Sequence, residues 1–131
     1  MTDQNPNDIV EIASSAPFAE TIERVVAAIE KAGLTIFAKF DHTAGAKSIG
    51  AVMPPTVVLT YGHPAGGTPV MQAAPRAALD LPLRALVRET AGGEVLVAFH
   101  PIAAVLRNAG ASEGLAARLE PAQRLLIEAI A

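Results

Sequence analysis

The chain has 131 residues, of which 51% are hydrophobic and 18% charged, and its formal net charge is -3. Burial of that much apolar side chain offsets the entropy of ordering, which excludes a disordered chain. No basic stripe is present to pair with phosphates, which argues against nucleic-acid binding. The absence of cysteine excludes disulfides, thiolate metal sites and a cysteine nucleophile. We therefore expect one domain over residues 8–131, preceded by a disordered tail over residues 1–7.

The sequence shows no feature that targets it to a membrane. Its first residues are polar and acidic, without the basic segment and apolar run of a signal peptide. The longest apolar stretch, residues 52–59, contains two prolines and is too short to span a bilayer. We expect a cytoplasmic protein with no membrane partner.

The first third of the chain predicts a strand, a helix and a second strand. Ile9, Val10 and Ile12 are β-branched and predict a short strand. Apolar positions at helical spacing over residues 18–29 predict an amphipathic helix. Ser15 is the expected helix cap and Gly33 the expected stop. Residues 34–40 alternate in the manner of a strand, with one side formed by Ile36, Ala38 and Phe40.

The middle of the chain predicts a buried strand and a loop. Asp41 is the expected cap of a short helical turn, and the apolar residues 56–61 predict a strand buried on both faces. Residues 62–69 contain three Gly and two Pro, which predicts a loop, with Thr68 as the cap of a short helix over residues 70–74.

The last third of the chain predicts a hairpin followed by two helices. Residues 83–89 and 94–99 alternate around a Gly-Gly turn and predict paired strands. Pro101 and Pro121 each open a segment with apolar residues at helical spacing. The order of elements predicts an α+β fold, a single compact domain in which helices cover one side of a mainly antiparallel sheet.

Three segments of the sequence carry a family resemblance: TIERVVAAIEKAGLTIFAKFDHTAGA, PPTVVLTYGHPAGGTPVMQAAPRAALDLPLRALV and EVLVAFHP. A strand ending in Gly-x-Pro, then Gly-Thr-Pro-x-Met, then Leu-Asp-Leu-Pro-Leu is a specific ordered combination. Over residues 9–106 the chain resembles the domain-of-unknown-function family 302 (DUF302). The resemblance implies helices on one face of a curved antiparallel sheet, and a homodimer.

The chain departs from the family pattern at two places. His63 stands where members often carry Asn before the Pro, and Phe99 and His100 stand where they often carry Tyr-Asn. The resemblance therefore implies that any polar site built on these positions is altered here.

Two features of the sequence favour chemistry. His42, His63 and His100 each follow a predicted strand, and Asp41 precedes the first, a set that suits a metal or acid-base centre if the strand ends converge. Their wide spacing is not that of a metal motif, so we assign no metal and no cofactor. The loop over residues 62–68 suits an anion held by backbone N–H groups, or a plain turn.

Three functional interpretations follow. The first is a homodimeric binding module with a pocket beside the loop for a small apolar or anionic ligand; the second is an enzyme or metal-binding protein that uses the histidines and Asp41; the third is a structural protein without a small-molecule site. Whether the protein is an enzyme is left open. The residues assigned to the ligand site are Asp41, His42, Tyr61, His63, Gly66, Gly67, Thr68, Met71 and Asp80.

Overall fold

The computed structural model describes residues 4–131. Its centre is a five-stranded antiparallel sheet in the order β1-β5-β4-β3-β2. The strands are β1 (Val10–Ala13), β2 (Thr35–Asp41), β3 (Thr56–Gly62), β4 (Leu83–Glu89) and β5 (Val95–Phe99).

Six helices accompany the sheet. They are α1 (Phe18–Lys31), α2 (His42–Ser48), α3 (Pro64–Ala73), α4 (Ile102–Asn108), α5 (Glu113–Ala116) and α6 (Pro121–Ala129), with 3-10 turns at Pro75–Asp80 and Ala117–Leu119. None of the helices in the described part of the chain is long and apolar enough to cross a membrane.

The hydrophobic core lies between one face of the sheet and the helices. On β3 and β4 the buried side chains alternate with partly exposed or exposed ones, so each of these strands presents one face to the core. Helices α1, α3, α4 and α6 close this core face with fully buried residues, which are Val25, Ile29, Val70, Leu106 and Leu126. The predicted α+β fold, with helices packed on a mainly antiparallel sheet, is confirmed.

The opposite side of the sheet, here called the open face, carries Phe40, Val58, Leu86 and Ala98. These residues are direct neighbours across β2, β3, β4 and β5. Phe40 is 50% exposed, and Val58 and Leu86 are partly exposed. The open face therefore has a central apolar row, with the Arg88–Glu11 ion pair on the same side of the sheet.

Two details of the strand predictions are wrong. A β-bulge between Ile36 and Ala38 shifts the register of β2, so Ile36 pairs with Tyr61 whereas Ala38 pairs with Thr60 on the other face. The expected single side of alternating residues is therefore split, because the extra residue of a bulge reverses the alternation beyond it. Burial in β3 alternates instead of being complete, and β5 is the strand whose residues are all buried.

The start of α1 also differs from expectation. Pro17 occupies the cap position without a side-chain hydrogen bond, so Ser15 is not the cap. Instead, the fully buried Thr21 donates its hydroxyl to the Ala16 carbonyl at 3.1 Å, and the hydroxyls of Thr21 and Ser14 lie 2.7 Å apart. The hydroxyls of Ser14 and Thr21 therefore stabilise the turn before α1, and the spacing of apolar residues contains no information about them.

The remaining elements agree with the sequence except for α3 and α5. The hairpin β4–β5, the helices after Pro101 and Pro121, and the stop at Gly33, with φ +81, are confirmed. Helix α5 was not predicted, because its four residues are too short to show a period. The predicted tail over residues 1–7 lies partly outside the described residues, and within its described part residues 5–8 form a turn.

Candidate functional site: a pocket beside α3

Helix α3 begins inside the segment predicted to be a loop, so that prediction is wrong. Pro64 takes the first helical position, where a missing N–H costs nothing. His63 is the cap: its Nδ1 accepts a hydrogen bond from the Ala65 N–H at 3.0 Å. Thr68 lies inside the helix rather than at its start, which corrects its predicted capping role.

A second proline in α3 is compensated from outside the helix. Pro69 has no N–H to donate to the Ala65 carbonyl, which would be its partner four residues earlier. Arg118 donates its Nη2 to this carbonyl at 3.4 Å. The Ala117–Leu119 turn is thereby attached to the first turn of α3, and Leu119 comes to lie against Gly66.

A pocket of about 300 Å³ lies beside the N-terminal half of α3. Its walls come from α3, the start of β2, the segment before and into β4, and the approach to α6; within that segment the Leu81–Pro82 peptide bond is cis. The lining residues are Leu34, Phe37, Tyr61, Gly62, His63, Pro64, Gly66, Gly67, Thr68, Met71, Leu81, Pro82, Leu83, Leu119 and Ala122.

Tyr61, at the inner end of β3, is the largest fully buried side chain among those described. Its hydroxyl donates to the Ala122 carbonyl at 2.7 Å, which ties β3 to the first turn of α6. Burial removes the phenol from water and so raises its pKa above the ordinary value of 10.0. Tyr61 is therefore a neutral, anchored wall of the pocket.

Two glycines set the width of the pocket. A Cβ on Gly66 would lie 3.0 Å from Leu119 Cδ2, so the absence of a side chain lets the Ala117–Leu119 turn approach α3 closely. A Cβ on Gly67 would meet Leu81 Cδ1 at 3.6 Å and Met71 Cε at 3.7 Å, which are ordinary contact distances. The Gly67 side of the helix thus leaves space that a side chain would occupy without a clash.

The structure brings six of the nine assigned ligand-site residues together in this pocket: Tyr61, His63, Gly66, Gly67, Thr68 and Met71. The other three lie elsewhere. Asp41 caps α2, where its Oδ1 accepts from the Ala44 N–H at 3.0 Å, in agreement with its predicted role as a cap.

His42 and Asp80 line a second, broader depression of about 640 Å³, together with His100; it includes the open-face residues and extends to α4 and α6. His100 Nδ1 lies 2.7 Å from the Asp8 carbonyl oxygen, which can only accept, so this nitrogen is the donor. The histidines are thus divided between two sites, with His63 in the pocket and the other two in this depression. Within residues 4–131 no three His, Cys, Asp or Glu side chains are grouped to hold a metal ion.

Several residues that line the pocket were not assigned to it from the sequence. Leu81 and Pro82 directly follow Asp80 in the chain and line the pocket, whereas Asp80 itself does not. Phe37 points toward Gly62, whose Cβ would lie 3.8 Å from Phe37 Cε2, and the β-bulge that places it there has no sequence signal. Leu119 follows an unpredicted helix, so nothing in the sequence indicated it.

Comparison with known proteins gives the family. The model of the "Domain of unknown function DUF302" family matches residues 10–131. The chain belongs to the DUF302 family. The DUF302 resemblance seen in the sequence is therefore confirmed, and it extends to the C-terminal residue, beyond the segments that first indicated it.

A solved structure shares the fold of this DUF302 domain. It is the crystal structure of an uncharacterized conserved DUF302 protein from Bacillus stearothermophilus, with a TM-score of 0.80 and 17% sequence identity. The match covers 93% of this chain and 94% of that one. At this identity the likeness shows the fold alone.

Curated relatives carry a functional name. Fluoride-specific ion channel FluC 1 of Brucella suis and FluC 1 of Brucella abortus are each 44% identical to the chain over 87 residues, 66% of its length. The match spans 34% and 32% of these two proteins, about a third of their length. The chain is similar to a part of these channels.

Proposed function

We propose that this DUF302 domain is a cytoplasmic binding module that takes a small ligand in the pocket beside α3. The observation that carries the proposal is the convergence of six residues, first assigned from sequence, on one cavity of about 300 Å³. Small-molecule sites are concave, mostly apolar and furnished with a few polar groups, and this pocket has that character, with His63 and Thr68 among aliphatic and aromatic side chains.

Filling the pocket from the Gly67 side tests the proposal. A Val side chain at Gly67 would enter the space between Leu81 and Met71, so Gly67→Val is expected to weaken fragment binding at least tenfold. Its effect on stability is expected to stay within about 1 kcal/mol, because Val has a somewhat higher helix propensity than Gly and the added Cβ meets its neighbours at ordinary contact distances. Calorimetry and thermal unfolding, applied to hits from a screen of small apolar and anionic fragments, measure the two effects.

The matched control is Gly45→Val in α2, where an added Cβ meets nothing within 4 Å. This variant is expected to bind the same fragments as the wild type does. A screen in which no fragment shifts the wild-type protein, or in which the variants at Gly67 and Gly45 bind equally well, contradicts the proposal.

We further propose that the module is a homodimer formed through the open face and the connection between α2 and β3. Phe40 is 50% exposed, and the connection exposes Ile49 by 82% and Val52 by 98%. This connection joins the ends of β2 and β3 at which Asp41 pairs with Val57. A monomer rarely leaves such apolar groups together in water, and a second copy presents the same surface in return. The apolar stripe of α6, by contrast, is used in the core, where Leu126 is fully buried.

Sedimentation equilibrium tests the dimer. The wild type is expected to sediment as a dimer at micromolar concentration, and Phe40→Asp and Val52→Asp as monomers, since each places a charge in the interface. Ile127→Asp, on the helical side and 36% exposed, is the control that stays dimeric. A wild type that is monomeric at every concentration contradicts this assignment, and so does a dimer that persists in both Phe40→Asp and Val52→Asp.

The curated relatives favour a second candidate function, an accessory domain that acts beside a fluoride-specific ion channel. Identity of 44% over 87 residues supports a shared domain, and in the relatives that domain is part of a protein named for fluoride conduction. Removing the matched third from FluC 1 of Brucella suis and adding this chain separately tests the idea in proteoliposomes. Restored fluoride efflux or copurification supports the accessory role. The absence of both effects contradicts it.

A further inference from the structure

The pocket beside α3 lacks charge, which limits the ligands it accepts. No Lys, Arg, Asp or Glu is among its lining residues. A charged ligand would therefore lose its water without gaining an opposite charge, which is costly in an apolar site. The class of ligand inferred below depends on the proposed function of the pocket.

The N-terminus of α3 is also closed to anions. Pro64 has no N–H, and the Ala65 N–H is bound to His63 Nδ1 at 3.0 Å. The N–H groups of Gly66 and Gly67 donate to the His63 carbonyl at 3.0 and 3.2 Å. Each backbone donor of the first turn thus has a partner within the chain, so the segment lacks the free N–H groups that an anion site requires.

His63 nevertheless leaves one hydrogen-bond donor at the pocket. Because Nδ1 accepts from the Ala65 N–H, the proton of the neutral imidazole resides on Nε2. No bond from Nε2 to another described residue of the chain is formed. Tyr61, by contrast, already donates its hydroxyl to the Ala122 carbonyl. His63 is exposed, so this N–H is open to water or to an acceptor on a ligand in the pocket.

The volume of the pocket sets the size of the ligand. At about 300 Å³ it is twice a cavity of roughly 150 Å³ that holds benzene. We propose that the pocket selects an uncharged, mainly apolar molecule of about ten non-hydrogen atoms, whose carbonyl oxygen accepts a hydrogen bond from His63 Nε2. Of the two ligand classes that the sequence allows, apolar and anionic, the pocket therefore favours the apolar one.

Three ligands of nearly equal shape test the selection. Acetophenone carries the neutral acceptor, α-methylstyrene replaces its oxygen by a methylene group, and benzoate adds a negative charge. Protein-observed NMR titration is expected to show acetophenone binding threefold to tenfold more tightly than α-methylstyrene, the gain of one hydrogen bond. Benzoate is expected to bind at least tenfold more weakly than acetophenone.

Variants of His63 separate binding from folding. His63→Asp keeps a side-chain oxygen that accepts at the cap and has no N–H to offer a ligand, so it is expected to unfold near the wild-type temperature and to bind acetophenone and α-methylstyrene equally. His63→Ala is expected to lose the preference and stability together. Gln72→Leu, at an exposed position of α3 outside the pocket lining, is the control that is expected to retain the preference.

The outcomes distinguish the two proposals. If acetophenone and α-methylstyrene bind equally to the wild type, or if benzoate binds as tightly as acetophenone, the ligand class is wrong and the pocket remains a binding site. The same holds if the preference for acetophenone survives in His63→Asp. If benzoate binds most tightly, the uncharged class is overturned in favour of the anionic one. If none of the three shifts any resonance of the pocket, the ligand class and the proposed function both fail.

Discussion

Tyr61 shows how one buried side chain serves both the core and the pocket. Its ring is fully buried near the end of β3, and its hydroxyl donates to the Ala122 carbonyl at 2.7 Å. This hydrogen bond connects β3 to α6 beside the pocket. The desolvation that raises the pKa of the phenol is the physical cost of this arrangement, and the hydrogen bond offsets part of it. Any change at Tyr61 therefore affects stability and pocket shape together.

Stability is expected to fall at high pH because of Tyr61. The folded-state pKa of the phenol lies above its ordinary value of 10.0, so from pH 10 upward the unfolded state ionises first and unfolding releases a proton. The contribution of the neutral phenol is complete below that pH and declines as the pH rises toward the folded-state pKa.

Tyr61→Phe tests the sign of this effect by urea denaturation at several pH values. The variant is expected to be less stable than wild type by about 1 kcal/mol at pH 7, because the Ala122 carbonyl loses its donor. That difference is expected to shrink, and then reverse, above pH 10. A difference that stays constant between pH 7 and pH 11 would show that the phenol does not titrate with unfolding.

At the scale of elements, Gln123 joins α6 to the start of α4. Its Oε1 accepts from the Ile102 N–H at 2.9 Å, and its Nε2 donates to the His100 carbonyl at 2.8 Å. Pro101, the backbone cap of α4, makes no side-chain hydrogen bond, so Gln123 supplies from another helix the partner that α4 lacks locally. One buried amide thus orders the β5–α4 corner.

Gln123→Leu is expected to lower the free energy of unfolding by about 2 kcal/mol, because it leaves the buried Ile102 N–H and the His100 carbonyl without partners. Chemical denaturation measures the loss. The matched control is Gln72→Leu at an exposed position of α3, which is expected to stay within about 0.5 kcal/mol of wild type. Equal effects at both positions would refute the capping role of Gln123.

The elements also show what the sequence predicts and what it does not. Strong periodicity predicted α1, the β4–β5 hairpin and α6 correctly, because amphipathic patterns repeat over many residues. Gly and Pro disfavour helix, so residues 62–69 are predicted to be a loop. In the structure His63 caps helix α3 there, and Arg118 donates to the Ala65 carbonyl that Pro69 leaves without its helical partner. Long-range partners of this kind leave no local pattern.

The same limit applies to the site. Residues near the Gly-x-Pro segment were assigned correctly to one cavity because they are close in sequence, and chain proximity carries them to the same place. His42 and Asp80 line the larger depression instead, and the expected convergence of strand ends brings His42 to the same depression as His100 but not to His63. Phe37 and Leu119 required the β-bulge and the Ala117–Leu119 turn, which only three-dimensional packing reveals.

At the scale of the whole molecule, the sheet separates the surfaces of the two proposed functions. Its core face and the helices enclose the pocket beside α3, whereas the open face offers the exposed apolar surface proposed for a second copy. Ligand binding and dimer formation are thereby assigned to different surfaces, so a substitution on one is expected to leave the other intact. The division of the histidines follows the same boundary.

The central claim is that the pocket beside α3, and not the open face, receives the small ligand. Backbone amide NMR during titration with acetophenone tests it most directly. The account predicts shifts at Gly62, Gly66 and Gly67, with the resonances of Leu86 and Ala98 unchanged. Shifts confined to Leu86 and Ala98, or an unchanged spectrum at saturating ligand, would contradict it.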